Sequence, residues 1–517
     1  MDLKTIRHKE LVIVGLCLLI GFVLRVYTFD KRSLWMDEIH TFNDSRDDLR
    51  GQIEYYKEDP TYLHPPLFYV LTHIFYPFEK PERDLRVIPL ILGTLSIPLM
   101  YLLARQFSPH IALFCTLSLT LMTYHISLSQ DGRSYTLTMF LAMAGLYFFT
   151  KHLRTLNKGY LLLASFFYAT LIHLSYSVIP FVVFSQVLSF YRMNDESRPY
   201  PFSSVLILNG LILFFCLPWA LFILLHAKGH AWMHPLHTED PGSFWTIIYW
   251  IFHDWVPYTP LTLVSFFLLL LFPIVSRNRR SAVVLLMSFV LPIAGVAVFC
   301  KLTHVTHFIS SRYFISLLPL FLISIYLAVV AWESAFEKMR RFIRPSVIFL
   351  ILFIASNLLM LPLYFKAEKQ DFRGLVAYLK THLKEGDKIF DASMGYMPGI
   401  LHYFDAYPEG RHQIATTTRQ AGTLLELKRS FTYQNRTHTI YHSKDCCTQY
   451  IADGNRLWIV VGKRDARKMR GNSPAVLKGF FDGSFRNFSR FPDDGSMYLF
   501  LWDPRNPDEK GIDLPLD

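Results

Sequence analysis

Long apolar stretches separated by short polar segments run from Leu11 to Tyr364, and the rest of the chain is polar by comparison. About 20 apolar residues are enough for an α-helix to cross the hydrocarbon core of a bilayer. The pattern therefore predicts an α-helical polytopic membrane protein with about 11 transmembrane helices. They are predicted at residues 11–29, 86–104, 111–128, 135–150, 160–174, 177–191, 203–226, 259–275, 282–300, 313–333 and 345–364.

The stretch from Pro65 to Phe78 is the doubtful one among the apolar stretches. It has only 14 residues, begins with two prolines and carries His73. Such a stretch is too short to span and better fits a helix that lies on the membrane surface. We place it as an interfacial helix within a first outer loop at residues 30–85.

Positive charges are distributed unevenly between the two sides of this arrangement. Sixteen Lys and Arg residues fall on the inner side, and the outer loops after the first carry only Arg133, Lys228, Lys301 and Arg312. The positive-inside rule requires this asymmetry and places the N-terminus in the cytoplasm. An odd number of spans then puts residues 365–517 outside, which is the periplasm in a bacterium or the lumen in a eukaryote. We expect a protein of the bacterial inner membrane, with its active site and C-terminal domain on the periplasmic side.

The polar region at residues 365–517 has the mixed pattern of an α/β domain. "FRGLVAYLKTHL" has helical spacing, whereas "DKIFDAS", "RLWIVVGK" and "SMYLFLWD" are short β-like runs. The predicted organisation is thus a transmembrane domain at residues 1–364 and an extracytoplasmic α/β domain at residues 365–517.

Composition narrows the class of protein. A hydrophobic content of 52% and a mean hydropathy of +0.26, together with apolar runs long enough to cross a bilayer, exclude a soluble enzyme. The net charge of +11 fits inner loops that face anionic membrane lipid, and it does not imply nucleic acid as a partner. None of the six cysteines forms a CxxC pair, so no metal or disulfide framework is indicated.

Two adjacent acids, Asp37 and Glu38, stand at the start of the first outer loop, just after Trp35. A carboxylate at a membrane surface can act as a general base or as an oxygen ligand for a divalent cation. Asp37 can instead be a helix cap, because aspartate is a favoured capping residue. Both interpretations are open from the spacing.

Two further outer segments carry candidate polar residues. The prolines of "TYLHPPLFYVL" hold His64 in an extended chain before a helix begins. In "SLSQDGRSY", Asp131 and Arg133 lie between spans that are almost free of charge. This pair predicts either a salt bridge in a tight turn or a site for an anionic ligand.

Arg86 and Arg312 are predicted at the outer ends of two spans, at the depth of a lipid phosphate. A guanidinium group binds phosphate through paired hydrogen bonds. Each arginine can also serve only as an interfacial anchor. Lys301, on the same side, adds to the case for an anionic ligand.

A divalent metal ion is the only cofactor that the pattern leaves open. His304 and His307 form an HxxH pair in an outer loop, and imidazole is a common metal ligand. The candidate metal ligands are therefore Asp37, His304 and His307.

Five segments in order resemble the lipid-linked-sugar glycosyltransferases of the GT-C class, in particular the branch with aminoarabinose transferases and protein O-mannosyltransferases. The segments are "SLWMDEIHT", "HPPLFYVL", "DLRVIPLILGTLSIPLMYLLARQF", "SLSQDGRSYTLTMFLAM" and "SSRYFISLLPLF". The similarity covers roughly residues 1–330. It implies surface helices in the first outer loop, a cavity at the outer leaflet, a polyprenyl-phosphate sugar donor and transfer with inversion.

The resemblance also implies roles for individual residues. Asp37 matches the first-loop acid, which looks like the catalytic base or a metal-site carboxylate, and Glu38 follows it as in many members. Asp131 matches the acid of the second outer loop, with Arg133 beside it. His64 stands where aminoarabinose transferases have lysine, so the contact with the sugar differs at this position.

These observations predict an integral membrane glycosyltransferase that moves a sugar from a polyprenyl-phosphate donor to an acceptor hydroxyl on the outer face. The acceptor would be a glycan, lipid or protein of the cell envelope. The alternative is a polytopic transporter or lipid flippase. Transporters place ionisable groups near the bilayer midplane, whereas the candidate charges here cluster in outer loops.

Overall fold

The structure is a computed structural model. It describes residues 8–60, 64–191, 201–227, 244–303, 311–335, 344–392, 396–407, 426–443, 454–470, 472–484 and 495–514.

The chain forms two compact units. The first, called the helical unit here, comprises Met1–Phe29, Leu49–Thr72 and Arg86–Leu363. The second, called the sheet unit, comprises Asp30–Asp48, His73–Leu85 and Tyr364–Asp517. Two segments of the first outer loop, Asp30–Asp48 and His73–Leu85, belong to the sheet unit. The predicted domain boundary at residue 364 stays a prediction.

Each of the eleven predicted spans is helical in the structure. The helices are α1 (His8–Val26), α2 (Met36–Asp44), α3 (Leu49–Glu58), α4 (Leu67–His73), α5 (Pro81–Asp84), α6 (Val87–Phe107), α7 (Pro109–Leu121), α8 (Thr123–Ser129), α9 (Tyr135–Thr155), α10 (Lys158–Ile172), α11 (Ile179–Phe184), α12 (Phe202–His226), α13 (Phe244–Trp255), α14 (Thr259–Val275), α15 (Arg279–Thr303), α16 (Leu318–Ala335) and α17 (Pro345–Lys366). Turns of 3₁₀ helix flank α11 and precede α16 at Ser311–Leu317.

Fewer helices than predicted have the length and composition of a membrane span. In the described part of the chain, five do so, and seven if each of two bent helix pairs counts as one span. The predicted count of 11 is not confirmed. Two helices show why: α10 has only 15 residues, and α1 carries Lys9, Glu10 and Arg25 within its 19 residues.

The stretch from Pro65 to Phe78 does not form a spanning helix. This agrees with the sequence prediction. Its helix, α4, has seven residues. At a rise of about 1.5 Å per residue this gives a length of roughly 10 Å, a third of the hydrocarbon thickness.

Local sequence explains where several helices begin. Ser108 precedes Pro109, and its hydroxyl accepts a hydrogen bond from the backbone N–H of His110 at 3.3 Å. The side chain of Asn157 accepts in the same way from the N–H of Gly159 at 2.8 Å, at the start of α10. Side chains of this type satisfy the free N–H groups of a first helical turn.

One predicted span is broken into α7 and α8, which meet at an angle of 58°. On one side of the break, the Arg25 guanidinium donates to the carbonyls of Leu119 at 3.1 Å and Thr120 at 3.3 Å. On the other side of the break, the side-chain oxygen of Asn357 accepts from the N–H of Thr123 at 2.9 Å. A helix break in a low-dielectric environment needs such partners for its freed backbone groups.

The sheet unit contains a mixed six-stranded sheet. Its strands are β1 (Lys388–Asp391), β2 (Glu426–Tyr433), β3 (Arg436–Ser443), β4 (Leu457–Gly462), β5 (Val476–Phe481) and β6 (Met497–Trp502), and its helices include α18 (Phe372–His382), α19 (Tyr396–Tyr403) and α20 (Lys463–Met469). The strand order is β2-β3-β1-β4-β6-β5. Strand β1 runs parallel to β3 and β4, and the other pairs are antiparallel. The predicted helix and the three β-like runs are confirmed.

Hydrophobic side chains cover both faces of this sheet. On one face, α20 packs Ala466 and Met469 against the sheet. On the other face, the core joins α18 and α19 to residues of the first outer loop, including Leu34, Ile39 and Phe42. Helix α2, with the acids of the first loop, is therefore part of the core of the sheet unit.

Candidate active site

The turn between α8 and α9 carries two of the predicted site residues. Asp131 is 2% exposed and Arg133 is 8% exposed, and the N–H of Arg133 donates to the carbonyl of Asp131 at 2.7 Å. Gln130 holds this turn against the end of α1, because its side-chain amide donates to the carbonyls of Arg25 at 2.9 Å and Tyr27 at 2.6 Å.

The structure brings His64 and Arg133 together. Nη2 of Arg133 lies 3.3 Å from Nε2 of His64. Guanidinium groups only donate, so this contact requires Nε2 to be the unprotonated ring nitrogen of His64. The hydroxyl of Tyr56 donates to the backbone carbonyl of His64 and fixes the segment from the side of α3.

Arg312 lies in the 3₁₀ turn that precedes α16, and its guanidinium faces aromatic rings. Its Cζ is 5.8 Å from the ring centre of Tyr135 and 5.5 Å from that of Tyr313. Aromatic faces attract a guanidinium electrostatically and hold its plane. Because Tyr135 follows Arg133 by two residues, the elements that carry Arg133 and Arg312 meet at this ring.

A buried polar group that was not predicted from the sequence lies next to Arg312. Asp254, at the end of α13, is 1% exposed, and its carboxylate accepts from the hydroxyl of Ser311. The hydroxyl of Tyr124 in turn donates to Ser311 at 3.0 Å. The signal in the sequence was a single acid at the end of the apolar run "FWTIIYWIFHDW", where an ionisable residue is unusual.

The other predicted cations of the helical unit have different environments. Arg86 is buried, and its guanidinium donates to the carbonyl of Phe29 at 2.7 Å. This contact ties the start of α6 to the segment that follows α1. Lys301 is exposed in the last turn of α15. His304 and His307 lie outside the described residues.

In the sheet unit, the neighbours Asp37 and Glu38 differ in their surroundings. Helix α2 begins at Met36, so Asp37 is its second residue and not its N-cap. Glu38 is fully buried, and its Oε2 accepts from the N–H of Trp35 at 3.3 Å. Asp37 is half-buried. Glu38 is thus the acid that caps the helix, and the cap interpretation of Asp37 is not supported.

The segment before α2 is held by a closed ring of hydrogen bonds. Tyr403 donates to Oε1 of Glu82 at 2.9 Å, and Nη2 of Arg373 donates to the same oxygen at 2.8 Å. The backbone N–H of Arg373 donates to the hydroxyl of Ser33, which donates to Tyr403, each at 3.2 Å. We call Ser33, Glu82, Arg373 and Tyr403 the loop ring.

Charges within the loop ring are matched. Burial alone would raise the pKa of the Glu82 carboxyl, but hydrogen bonds from Arg373, the backbone and Tyr403 together lower that pKa. Burial and the Glu82 charge raise the pKa of the Tyr403 phenol. Burial lowers and Glu82 raises the pKa of the Arg373 guanidinium, and the net shift is upward. At neutral pH the ring therefore pairs a carboxylate with a guanidinium and a neutral phenol donor.

Within the part of the chain that the structure describes, no three His, Cys, Asp or Glu side chains come together as a metal site. Two of the three candidate metal ligands, His304 and His307, lie outside that part. A metal role for Asp37 stays a prediction.

The chain has the GT-C fold of two solved structures, both of the glycosyltransferase ArnT. The crystal structure of ArnT from Cupriavidus metallidurans in the apo state matches with a TM-score of 0.54 and 12% identity, over 95% of this chain and 97% of that one. The same enzyme bound to undecaprenyl phosphate matches with a TM-score of 0.52, again at 12% identity and over the same shares of the two chains. The predicted fold class is thereby confirmed.

A third solved structure shares less of the architecture. The Archaeoglobus fulgidus oligosaccharyltransferase in complex with Zn and sulfate has a TM-score of 0.40 and 14% identity, over 76% of this chain and 61% of that one. No protein-family model and no curated protein sequence matches the chain.

Proposed function

We propose that the protein is an integral membrane glycosyltransferase that takes a sugar from a polyprenyl-phosphate donor and transfers it to an acceptor hydroxyl on the outer face. The observation that carries the proposal is the likeness to ArnT bound to undecaprenyl phosphate, which extends over 95% of the chain. The acceptor is a hydroxyl of an envelope glycan, lipid or protein.

The reaction needs a base for the acceptor and cations for the leaving group. The acceptor oxygen forms a bond to the anomeric carbon while the bond from that carbon to the donor phosphate oxygen breaks. We propose that Asp37 accepts the hydroxyl proton. The leaving polyprenyl phosphate takes the electron pair, and Arg133 and Arg312 stabilise its charge. A single displacement of this kind inverts the anomeric centre.

The remaining candidate residues receive supporting roles in this proposal. His64 contacts Arg133 and therefore orients that guanidinium in addition to any contact with the sugar. Asp131, whose backbone carbonyl accepts from the N–H of Arg133, remains a proposed catalytic acid beside that guanidinium. Glu38 caps the helix of Asp37. Arg86 and Lys301 remain proposed phosphate ligands, with Arg86 also serving as an anchor.

A transport function is not favoured. Arg25, an ionisable group buried inside α1, resembles the intramembrane charges of transporters. Its guanidinium, however, donates to backbone carbonyls at the helix break and to the side chains of His125 at 2.8 Å and Ser129 at 3.2 Å. These contacts give Arg25 a structural role within the fold.

The function is tested by incubating the purified protein in detergent with a panel of undecaprenyl-phosphate-linked sugars and measuring released undecaprenyl phosphate. We expect release from at least one donor. The Arg312→Lys variant keeps the charge but loses the planar fork, so its KM for that donor should rise about tenfold, the value of one charge-assisted hydrogen bond.

The control is Arg277→Lys, the same change at an exposed position outside the candidate site, and it should behave like the wild type. Release from no donor in the panel would contradict the proposed function. Wild-type kinetics in Arg312→Lys and in Arg312→Ala would remove this arginine from the site and leave the function standing.

The outer location of the sheet unit is also a proposal, supported by the charge asymmetry of the loops. Asn506 is exposed at the end of the chain. In a variant without Cys446 and Cys447, we expect Asn506→Cys to react with an impermeant thiol reagent added to spheroplasts. The control is Asn278→Cys, an exposed position in a predicted inner loop, which should react only after lysis. The opposite pattern would reverse the topology.

A further inference from the structure

We infer that Tyr403 and Glu82 are positioning residues of the transferase, because the loop ring sets the place and direction of the helix that carries Asp37. The inference rests on the proposed function, in which Asp37 is the base. It gives the C-terminal part of the chain a role in the chemical step.

Three consecutive backbone N–H groups directly before Asp37 each bind a side chain. The N–H of Leu34 donates to the Tyr403 hydroxyl at 2.7 Å, that of Trp35 to Glu38 at 3.3 Å, and that of Met36 to Oε1 of Gln370 at 2.9 Å. Two of the three acceptors thus come from residues more than 330 positions away in sequence. Free N–H groups at a helix start are normally capped from within the same segment.

The Tyr403 hydroxyl can hold Leu34 only because its own proton has a fixed acceptor. That acceptor is Glu82, which a second hydrogen bond from Arg373 keeps in place. Arg373 also donates from Nη1 to the carbonyl of Lys31 at 3.0 Å, two residues before Ser33. The loop ring therefore forms hydrogen bonds with Lys31, Ser33 and Leu34, just before α2.

Packing fixes the rest of the helix. Leu34 and Ile39 are fully buried, and they share one core with Phe372 of α18 and Ile400 of α19. The ring of Phe42 lies edge-on to His402 at 4.7 Å between ring centres. One end of α2 is hydrogen-bonded and one face is packed, so the helix is held in one orientation. The orientation of the helix in turn sets the direction of the half-buried Asp37 side chain.

The test uses Tyr403→Phe in the full-length protein. This change removes one oxygen, and with it the acceptor of the Leu34 N–H and the donor to Glu82. We expect kcat to fall about 10- to 100-fold with the donor KM unchanged, because a misplaced base slows the chemical step without weakening the phosphate contacts. Hydrogen–deuterium exchange in a peptide that covers residues 33–38 should become faster.

Tyr378→Phe is the matched control. Tyr378 packs against the same core but is not part of the loop ring. Its substitution by Phe removes the same phenol oxygen. Its kcat and the exchange of residues 33–38 should match the wild type. Glu82→Gln, which keeps an acceptor for Tyr403 but loses the charge that pairs with Arg373, should give a smaller fall in kcat.

A double-mutant cycle with Asp37→Asn separates positioning from general destabilisation. If Tyr403 acts through Asp37, Tyr403→Phe should have no further effect on kcat once Asp37 is Asn. Full additivity, or wild-type kcat in Tyr403→Phe, would overturn the inference. If Tyr403→Phe does not fold, Glu82→Gln takes its place in the cycle. A wild type that releases undecaprenyl phosphate from no donor would instead defeat the proposed function.

Discussion

Replacing Asp37 with Asn is expected to lower turnover by about 10²–10⁴-fold, the usual effect of losing a general base. Asparagine keeps the size and hydrogen-bonding ability of the side chain but cannot accept the hydroxyl proton. Stability should fall by less than about 1 kcal/mol, which is the value of a negative charge in the first turn of a helix. Turnover of the best donor and the melting temperature, measured on the same preparation, check both expectations.

Asp48→Asn provides the comparison for this experiment. Asp48 is an exposed acid that follows α2 in the first outer loop, so the substitution removes the same charge from the same region. We expect it to retain wild-type turnover. An active and well-folded Asp37→Asn protein would show that Asp37 is not the base, and Asp131 would become the acid to test.

Replacing Arg25 with Met should cause a large loss of stability. The guanidinium is fully buried and makes five hydrogen bonds, to Gly21, Leu119, Thr120, His125 and Ser129. At about 0.6 kcal/mol for each hydrogen bond in a membrane protein, their loss amounts to roughly 3 kcal/mol. The melting temperature in detergent should fall, and turnover should fall with it, because the break at α7 leads directly to the Asp131 turn.

Arg105→Met offers a matched change at a different contact of α1. Arg105 also ties a neighbouring helix to α1, through a 3.0 Å hydrogen bond to Glu10, but the Glu10 side chain is 24% exposed. Water can replace a partner at such a site, so the loss of stability should be smaller. Equal losses in the two variants would contradict the view that the helix break depends on Arg25.

Apolar stretches in the sequence predicted most helices of the helical unit, because hydropathy over 15 to 25 residues is a local property. They did not predict α3 or α13. The number of spans was less predictable. A run such as residues 111–128 has the composition of one span, whereas the break at Met122 depends on Arg25 and Asn357, which lie far away in sequence. Distant partners of this kind leave no mark in a hydropathy pattern.

The candidate site shows the same limit. Asp37, His64, Asp131 and Arg133 could be selected from short motifs, and the contact between His64 and Arg133 gives two of them a shared location. Asp254 and the loop ring could not be selected. Glu82, Arg373 and Tyr403 are ordinary residues in sequence, and only the folding of distant segments onto one sheet brings them together.

The membership of α2 in the core of the sheet unit also sets an order of events during synthesis. Leu34, Ile39 and Phe42 emerge from the ribosome hundreds of residues before Phe372 and Ile400, the side chains against which they pack. The apolar face of α2 therefore stays exposed until the last third of the chain has been synthesised and has reached the same side of the membrane. A chain that stops after α17 would retain its membrane helices but would lack the core that folds α2. Exposed apolar surface of this kind is what chaperones bind, so maturation of this protein depends on its final segment.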